Sequence, residues 1–177
     1  MNRAPVISIA IACAATSFAA TTAQAQTFPD KPVRMIVPYA AGGLPDTMTR
    51  LAAVKITEIL KQQIVVDNRP GAGGIGACEL VANATPDGYT LLIADVAQTA
   101  INPALYAKLP YDTLRDFAPV SLMGNSAQFL TANASVPANS LKELIALVKA
   151  KPGQIRYGSG GIGSVHHLSM EALKTPL

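Results

Sequence analysis

Three loops of this sequence hold residue types from which an anion site can be built. The first, Tyr39-Ala40-Ala41-Gly42-Gly43-Leu44-Pro45-Asp46, follows a short apolar run and precedes a helical pattern. Paired glycines let the backbone approach a ligand closely, and the free N–H groups of a following helix attract negative charge. A plain βα turn fits the same residues equally well. The second loop, Gly71-Ala72-Gly73-Gly74-Ile75-Gly76, matches G-x-G-x-x-G. Asp95 stands 19 residues beyond Gly76, about where a ribose-binding acid lies in a dinucleotide site. The third, Gly158-Ser159-Gly160-Gly161-Ile162-Gly163, matches the same pattern, with Ser164 directly behind it. Two matches in one chain show chiefly how permissive the pattern is. Asp67 to Pro70 also separate the Gly71 loop from the nearest strand, where the fingerprint should open directly.

The other chemically capable residues resolve into blander roles. His166 and His167 are adjacent, so on a helix they point about 100° apart and cannot share a metal as an i, i+4 pair can. They read as polar residues of a helix start. Ser159 and Ser164 lie near them, but neither sits in G-x-S-x-G and no acid is placed as a third member. Cys78, on an apolar stretch, reads as a small core residue. No nucleophile–base pair or metal cluster survives, so the sequence predicts a protein without catalytic turnover.

The elements that must position these loops alternate in type. Val33 to Val37 and Ile64 to Val66 predict strands, and Leu91 to Ala94 a third that is apolar enough to be central. Between the first two, Met48, Leu51, Ala52, Ile56, Ile59 and Leu60 follow helical spacing and predict one buried face. A short helix is expected around Ala77 to Ala82, and a turn at Pro86-Asp87-Gly88. Later, Phe117 to Met123 and Gln128 to Ala132 read as candidate extended strands and Ile155 to Tyr157 as a strand. Ser140 and Glu143 form a capping box before a helix whose buried face would be Leu141, Leu144, Ile145 and Val148. Val165 to Lys174 begins another helix. Alternating strands and helices predict α/β layers with largely parallel sheets, whose ligand loops lie at strand carboxyl ends.

Composition narrows the class. Asn2 and Arg3, a chargeless run from Ala4 to Ala20, and Ala23-Gln24-Ala25 form the three-part pattern of an export signal cleaved after Ala25. Removing 1–25 from the 177 residues takes Arg3 and Cys13, leaving 14 − 1 = 13 basic residues, 11 acidic ones and Cys78 alone. That excludes an internal disulfide framework and a Cys-based zinc site. A net charge of 13 − 11 = +2 does not suit nucleic acid as a partner. No later apolar run reaches the ~18 residues of a membrane span. A periplasmic location also disfavours a soluble nicotinamide cofactor, the rival use of Gly71 to Gly76 in an oxidoreductase, and no cofactor is expected.

Several longer motifs then converge on one family. Pro38 to Arg50, Asp67-Asn68-Arg69-Pro70-Gly71-Ala72-Gly73-Gly74, Pro86-Asp87-Gly88-Tyr89-Thr90-Leu91-Leu92, Ile101-Asn102-Pro103-Ala104-Leu105-Tyr106, Leu109-Pro110-Tyr111-Asp112 and Asp116-Phe117-Ala118-Pro119-Val120 resemble the periplasmic substrate-binding proteins of tripartite tricarboxylate transporters, the Bug family. The resemblance runs from Phe28 to the last helix. It implies a two-lobed Venus-flytrap fold of α/β lobes, a small carboxylated ligand, and membrane permease subunits as partners. By the same resemblance, Tyr39, Ala40, Ala41, Gly42, Gly43 and Asp46 hold one ligand end. Asp95, Ala97 and Gln98 line the cleft, while Ser159, Gly160, Gly163 and Ser164 face it from the opposite lobe.

Two departures accompany the resemblance. Asp95-Val96 stand where the family usually has small or hydroxyl residues, so a carboxylate faces an acidic ligand. The family is also about twice as long. The expected organisation is therefore a leader over 1–25, a first lobe over 26–123 lacking its returning segment, and the beginning of a second lobe over 124–177. Such a fragment is expected not to work as a receptor.

Overall fold

The run Val-Arg-Met-Ile-Val forms β1 (Val33–Val37), the middle strand of a three-stranded sheet. The structure, a computed structural model, describes residues 27–175, so the expected leader lies outside the described residues. The chain divides into two units, Met1–Asp30 and Lys31–Leu177, and every element below belongs to the second. β1 pairs in parallel with β2 (Ile64–Asn68) on one side and β3 (Thr90–Leu92) on the other, in the order β2-β1-β3. Met35 lies opposite Val66 and Leu91 in the two registers.

Helix α1 (Leu44–Leu60) connects β1 to β2, and α2 (Ile75–Ala82), entered through a 3-10 turn at Ala72–Gly74, connects β2 to β3. The two crossovers run in opposite directions from β1. Right-handed connections therefore put α1 and α2 on opposite faces of the sheet. Val33, Met35, Ala53 and Ile64 form the core on the α1 side, with Ile56, Val66, Tyr89, Leu91 and Ile93 packed against it. Ile36 alternates to the other face and is fully buried, and Ala77 and Cys78 of α2 are buried as well. Each large apolar side chain so covered contributes about 1.5–3 kcal/mol.

Three expectations are corrected in this region. β2 extends to Asn68, so only Arg69 and Pro70 separate it from the Gly71 loop. β3 stops at Leu92 and is an edge strand among the described strands, its three residues half-buried. Its apolar composition reflects packing against the core and Met35, not strand partners on both sides. α1 buries Asp46, Thr49 and Ala53, while Leu51 and Ile59 point to solvent. The helix is turned so that Asp46 reaches back to its own loop, a polar requirement that apolar spacing cannot register.

After β3, a π-helical turn (Ala97–Ile101) runs directly into α3 (Asn102–Leu105). Helices α4 (Leu141–Ala150) and α5 (Val165–Lys174) follow at their expected positions. The serine half of the capping box forms, Ser140 Oγ accepting from the Glu143 N–H at 3.2 Å, while Glu143 Oε2 reaches one residue further back and accepts from the Asn139 N–H at 2.7 Å. Neither helix contains a buried residue; Leu144, Ile145 and Val148 are half-buried and Leu141 is exposed. The segments expected as strands at 117–123, 128–132 and 155–157 form none, and Phe129 is 84% exposed. A parallel strand exists only through its ladder, and among the described residues these segments have no ladder partner.

Candidate functional site

β1 sends its chain toward β2 while β3 lies on its other side, which makes the carboxyl end of β1 a topological switch point. The crevice outside such a point is where open α/β sheets hold ligands. The loops leaving β1 and β3 meet there: Tyr39 Oη donates to Asp95 Oδ2 at 2.6 Å. Gln98 Nε2 donates to the same Tyr39 oxygen at 3.1 Å and to the Gly73 carbonyl at 3.3 Å. Because Gln98 supplies a hydrogen to Tyr39, the phenol's own hydrogen goes to Asp95. Burial, and next the bond to Asp95, push the Tyr39 phenol well above its ordinary pKa of 10.0, so it remains the donor.

The network continues behind the crevice. The Asp95 N–H donates to Gln98 Oε1 at 3.0 Å and the Ala97 N–H to Asp95 Oδ1 at 2.7 Å. Asn102 Nδ2 donates to the Gly73 carbonyl at 3.0 Å and to Tyr111 Oη at 3.2 Å, and Tyr111 Oη donates to the Gln98 carbonyl at 2.9 Å. Gln98, Asn102 and Tyr111 are all buried, so each of these polar groups needs the partner it has. Tyr111 is further wedged by Phe117, edge-on at 5.7 Å between ring centroids.

The β1 loop is shaped from beneath. Gly42 takes φ +85°, a left-handed conformation that favours glycine, and its N–H donates to Asp46 Oδ2 at 2.8 Å. Arg50 Nε donates to Asp46 Oδ1 at 3.0 Å, Arg50 Nη2 donates to Asn68 Oδ1 at 3.0 Å, and Asn68 Nδ2 donates to the Tyr39 carbonyl at 3.0 Å. Arg50, and then the Gly42 N–H, hold the Asp46 carboxyl down at about 2. Its buried carboxylate thus faces its own loop, while Ala40, Ala41, Gly42 and Gly43 are exposed. Gly43 caps α1 without a side chain, and Pro45 has no N–H, so the Leu44 and Asp46 N–H groups lack intrahelical partners.

The Gly71 loop uses its glycines for packing. Gly71, Gly73 and Gly74 all have positive φ, and a Cβ on Gly74 would stand 2.8 Å from both Pro38 Cβ and Gln98 Nε2. The close approach a pyrophosphate would need is taken by Gln98 and Asn102, which bind the Gly73 carbonyl. This geometry disfavours the dinucleotide reading.

The third loop is self-contained. Ser164 caps α5, its Oγ accepting from the His167 N–H at 3.2 Å, and His167 Nδ1 accepts from the Gly163 N–H at 3.3 Å. Ser159 Oγ accepts from the Gly161 N–H at 3.4 Å, and a Cβ added at Gly160 would come within 3.6 Å of Ser164 and 3.7 Å of His166. Gly163 is buried at φ +79°, where an added Cβ would meet Leu105 at 2.7 Å. The structure therefore joins Tyr39, Asp95, Ala97 and Gln98, keeps Asp46 beneath them, and brings the Gly158 loop to α3 instead. Sequence reasoning missed Arg50, Asn68, Asn102 and Tyr111 as the supports. Their signal was faint: polar side chains inside or beside otherwise apolar runs. Among the described residues no group of three or more His, Cys, Asp or Glu could hold a metal ion, and no helix is long and apolar enough to cross a membrane.

Comparison with known proteins places this geometry in context. The sequence model described as "Tripartite tricarboxylate transporter family receptor" matches residues 48–177. A UPF0065 protein of Bordetella pertussis is 43% identical over 169 residues, which are 94% of this chain and 51% of that protein. Protein BugT of the same organism is 37% identical over 172 residues, 97% of this chain and 53% of that one. R. palustris Rpa4515, solved with adipate, superimposes with a TM-score of 0.80 at 35% identity over 84% of this chain and 50% of that one. The chain spans about half the length of the curated relatives it matches. Over that half the fold is that of the periplasmic solute-binding proteins.

Proposed function

The chain belongs to the tripartite tricarboxylate transporter receptor family, and from that premise we propose that it grips a small carboxylated metabolite, a di- or tricarboxylate or related organic acid. The observation that carries this is the exposed backbone of Ala40 to Gly43 at the switch point, adjoining a start of α1 that has no side-chain cap. Backbone donors there other than the Gly42 N–H, which Asp46 holds, suit a carboxylate end, each charge-assisted bond contributing about 1.5–3 kcal/mol. Asp95, Ala97 and Gln98 form the second wall. Ser159, Gly160, Gly163 and Ser164 close over the ligand from the opposite side when the receptor shuts.

Receptors of this family are solute-binding proteins rather than enzymes, and the family is periplasmic. We read residues 26–123 as the first lobe and 124–177 as the opening of the second, exported by the leader that ends at Ala25. Delivery would be to the permease subunits of the transporter.

Titration calorimetry with adipate, citrate and NAD tests the reading. The β1 and β3 loops belong to the stretch whose core closes, so, against the expectation that such a chain does not work as a receptor, saturable heat with a carboxylic acid and none with NAD is expected. Saturable NAD binding without acid binding would replace a receptor with a dinucleotide protein.

A further inference from the structure

We propose that Asp95 sets the polarity of the ligand, selecting an organic acid that also carries a protonated amine over a plain dicarboxylate of the same chain length. The inference rests on the receptor reading above and adds the chemistry of the ligand's far end. The Asp95 carboxylate is held in one orientation, Oδ2 by the Tyr39 hydroxyl at 2.6 Å and Oδ1 by the Ala97 N–H at 2.7 Å. Swinging it away would break both bonds and leave the Tyr39 hydroxyl without its acceptor. Each oxygen has two acceptor positions and uses one here, so each keeps one for a ligand. Asp95 is exposed, and among the described residues it takes part in no ion pair.

Tyr39 ties this acid to the anion loop. Its carbonyl is fixed by Asn68 beneath the loop, and its hydroxyl by Asp95 across the crevice. One wall therefore offers backbone donors and the other a fixed, uncompensated negative charge. A second ligand carboxylate against that wall meets like charge, whereas an ammonium gains a charge-assisted hydrogen bond. Gln98 makes the arrangement rigid, since it bonds both Tyr39 and the Asp95 backbone.

The test is calorimetric titration of the full chain, at neutral pH and low salt, with adipate, 6-aminohexanoate and 2-aminoadipate. It is repeated on Asp95→Asn and Asp95→Ser. The unsubstituted chain is expected to bind an amine-bearing acid at least about tenfold more tightly than adipate, the lower end of what one hydrogen bond to a charged group provides. Asp95→Asn removes the charge and keeps one acceptor oxygen, for the Ala97 N–H, with its amide nitrogen toward the Tyr39 oxygen, and should cut that preference about tenfold; Asp95→Ser should do the same. Equal affinities in the unsubstituted chain, or a preference unchanged in whichever variant folds, overturns the role of Asp95 and leaves the receptor reading standing. Absence of heat with all three acids in the unsubstituted chain overturns the receptor reading itself, and this inference with it.

Discussion

Residues 33–113 and residues 117–175 carry the same ingredients, apolar runs, glycine loops and helices, yet they reach different states. In the first stretch Val33, Met35, Ala53 and Ile64 close a core, and Gln98, Asn102 and Tyr111 are buried with their bonds made. In the second, α4 and α5 are well capped but bury nothing, and Val120, Leu122 and Phe129 stand open to solvent. Helices need only local sequence and caps to form, whereas burial needs a covering element from elsewhere in the chain. The difference teaches that apolar periodicity announces an element without announcing its partner.

The sharpest way to break this comparison is to truncate one apolar residue in each stretch. Ile36 is fully buried in the central strand, so Ile36→Ala should cost about 2–5 kcal/mol, lost transfer energy plus the cavity left behind. Leu144→Ala in half-buried α4 should cost less than about 1 kcal/mol. Urea midpoints of the two variants measure this. Equal losses would mean that both stretches share one cooperative core.

A smaller effect separates glycines that pack from glycines that merely turn. Gly74→Ala places a Cβ 2.8 Å from Pro38 and Gln98 at φ +80°, so strain and overpacking add to about 2–4 kcal/mol. In the other stretch the Cβ of Gly163→Ala meets only the end of the Leu105 side chain, which can rotate away, and the loss should be smaller. Thermal midpoints of the two variants decide the order. A greater loss at Gly163 would place the tighter packing in the second stretch.

How much of this was legible in the sequence follows the same division. β1, α1, α2, α4 with its Ser140 cap, and α5 are set by nearby residues, and local pattern located them, whereas Ser164 was weighed as a nucleophile and not as the cap it is. The edge position of β3 and the missing strands at 117–123, 128–132 and 155–157 depend on distant partners, and local pattern could not supply those. The site shows the same limit. Tyr39, Asp95 and Gln98 were implied as site residues by the family resemblance, but their bonding to one another joins residues 56 and 59 positions apart. The buried stripe of α1 was misjudged because its members Asp46 and Thr49 are polar, and only the loop geometry explains the burial of Asp46.

Acid should sharpen the contrast further. The Asp46 carboxyl is lowered from 3.8 to about 2 on folding, so its contribution is fully present above about pH 4 and is lost as the pH falls toward 2. Asp46→Asn should therefore be less stable than the parent at neutral pH, with the gap closing across that interval. Urea midpoints taken from pH 5 to pH 2 check it. A gap that persists at pH 2 would mean that Asp46 acts through shape and not charge.

The smallest expected effect on the fold is at Gly43, and for that reason it isolates the ligand. Unlike Gly42, it has no positive φ, and a Cβ there would meet the Ala40 carbonyl at 3.5 Å and Pro45 at 3.9 Å, ordinary contact distances. Gly43 is the N-cap of α1, where alanine is the poorer residue, so Gly43→Ala should cost about 1 kcal/mol or less. If a carboxylate approaches the backbone of this loop, the added methyl stands between them, and acid affinity should fall although the protein stays folded. Gly42→Ala cannot make this separation, because its left-handed backbone would cost about 1–2 kcal/mol by itself. Paired urea melts and calorimetric titrations of Gly43→Ala therefore read ligand approach alone. Unchanged affinity for every acid the parent binds would move the carboxylate away from Ala40 to Gly43.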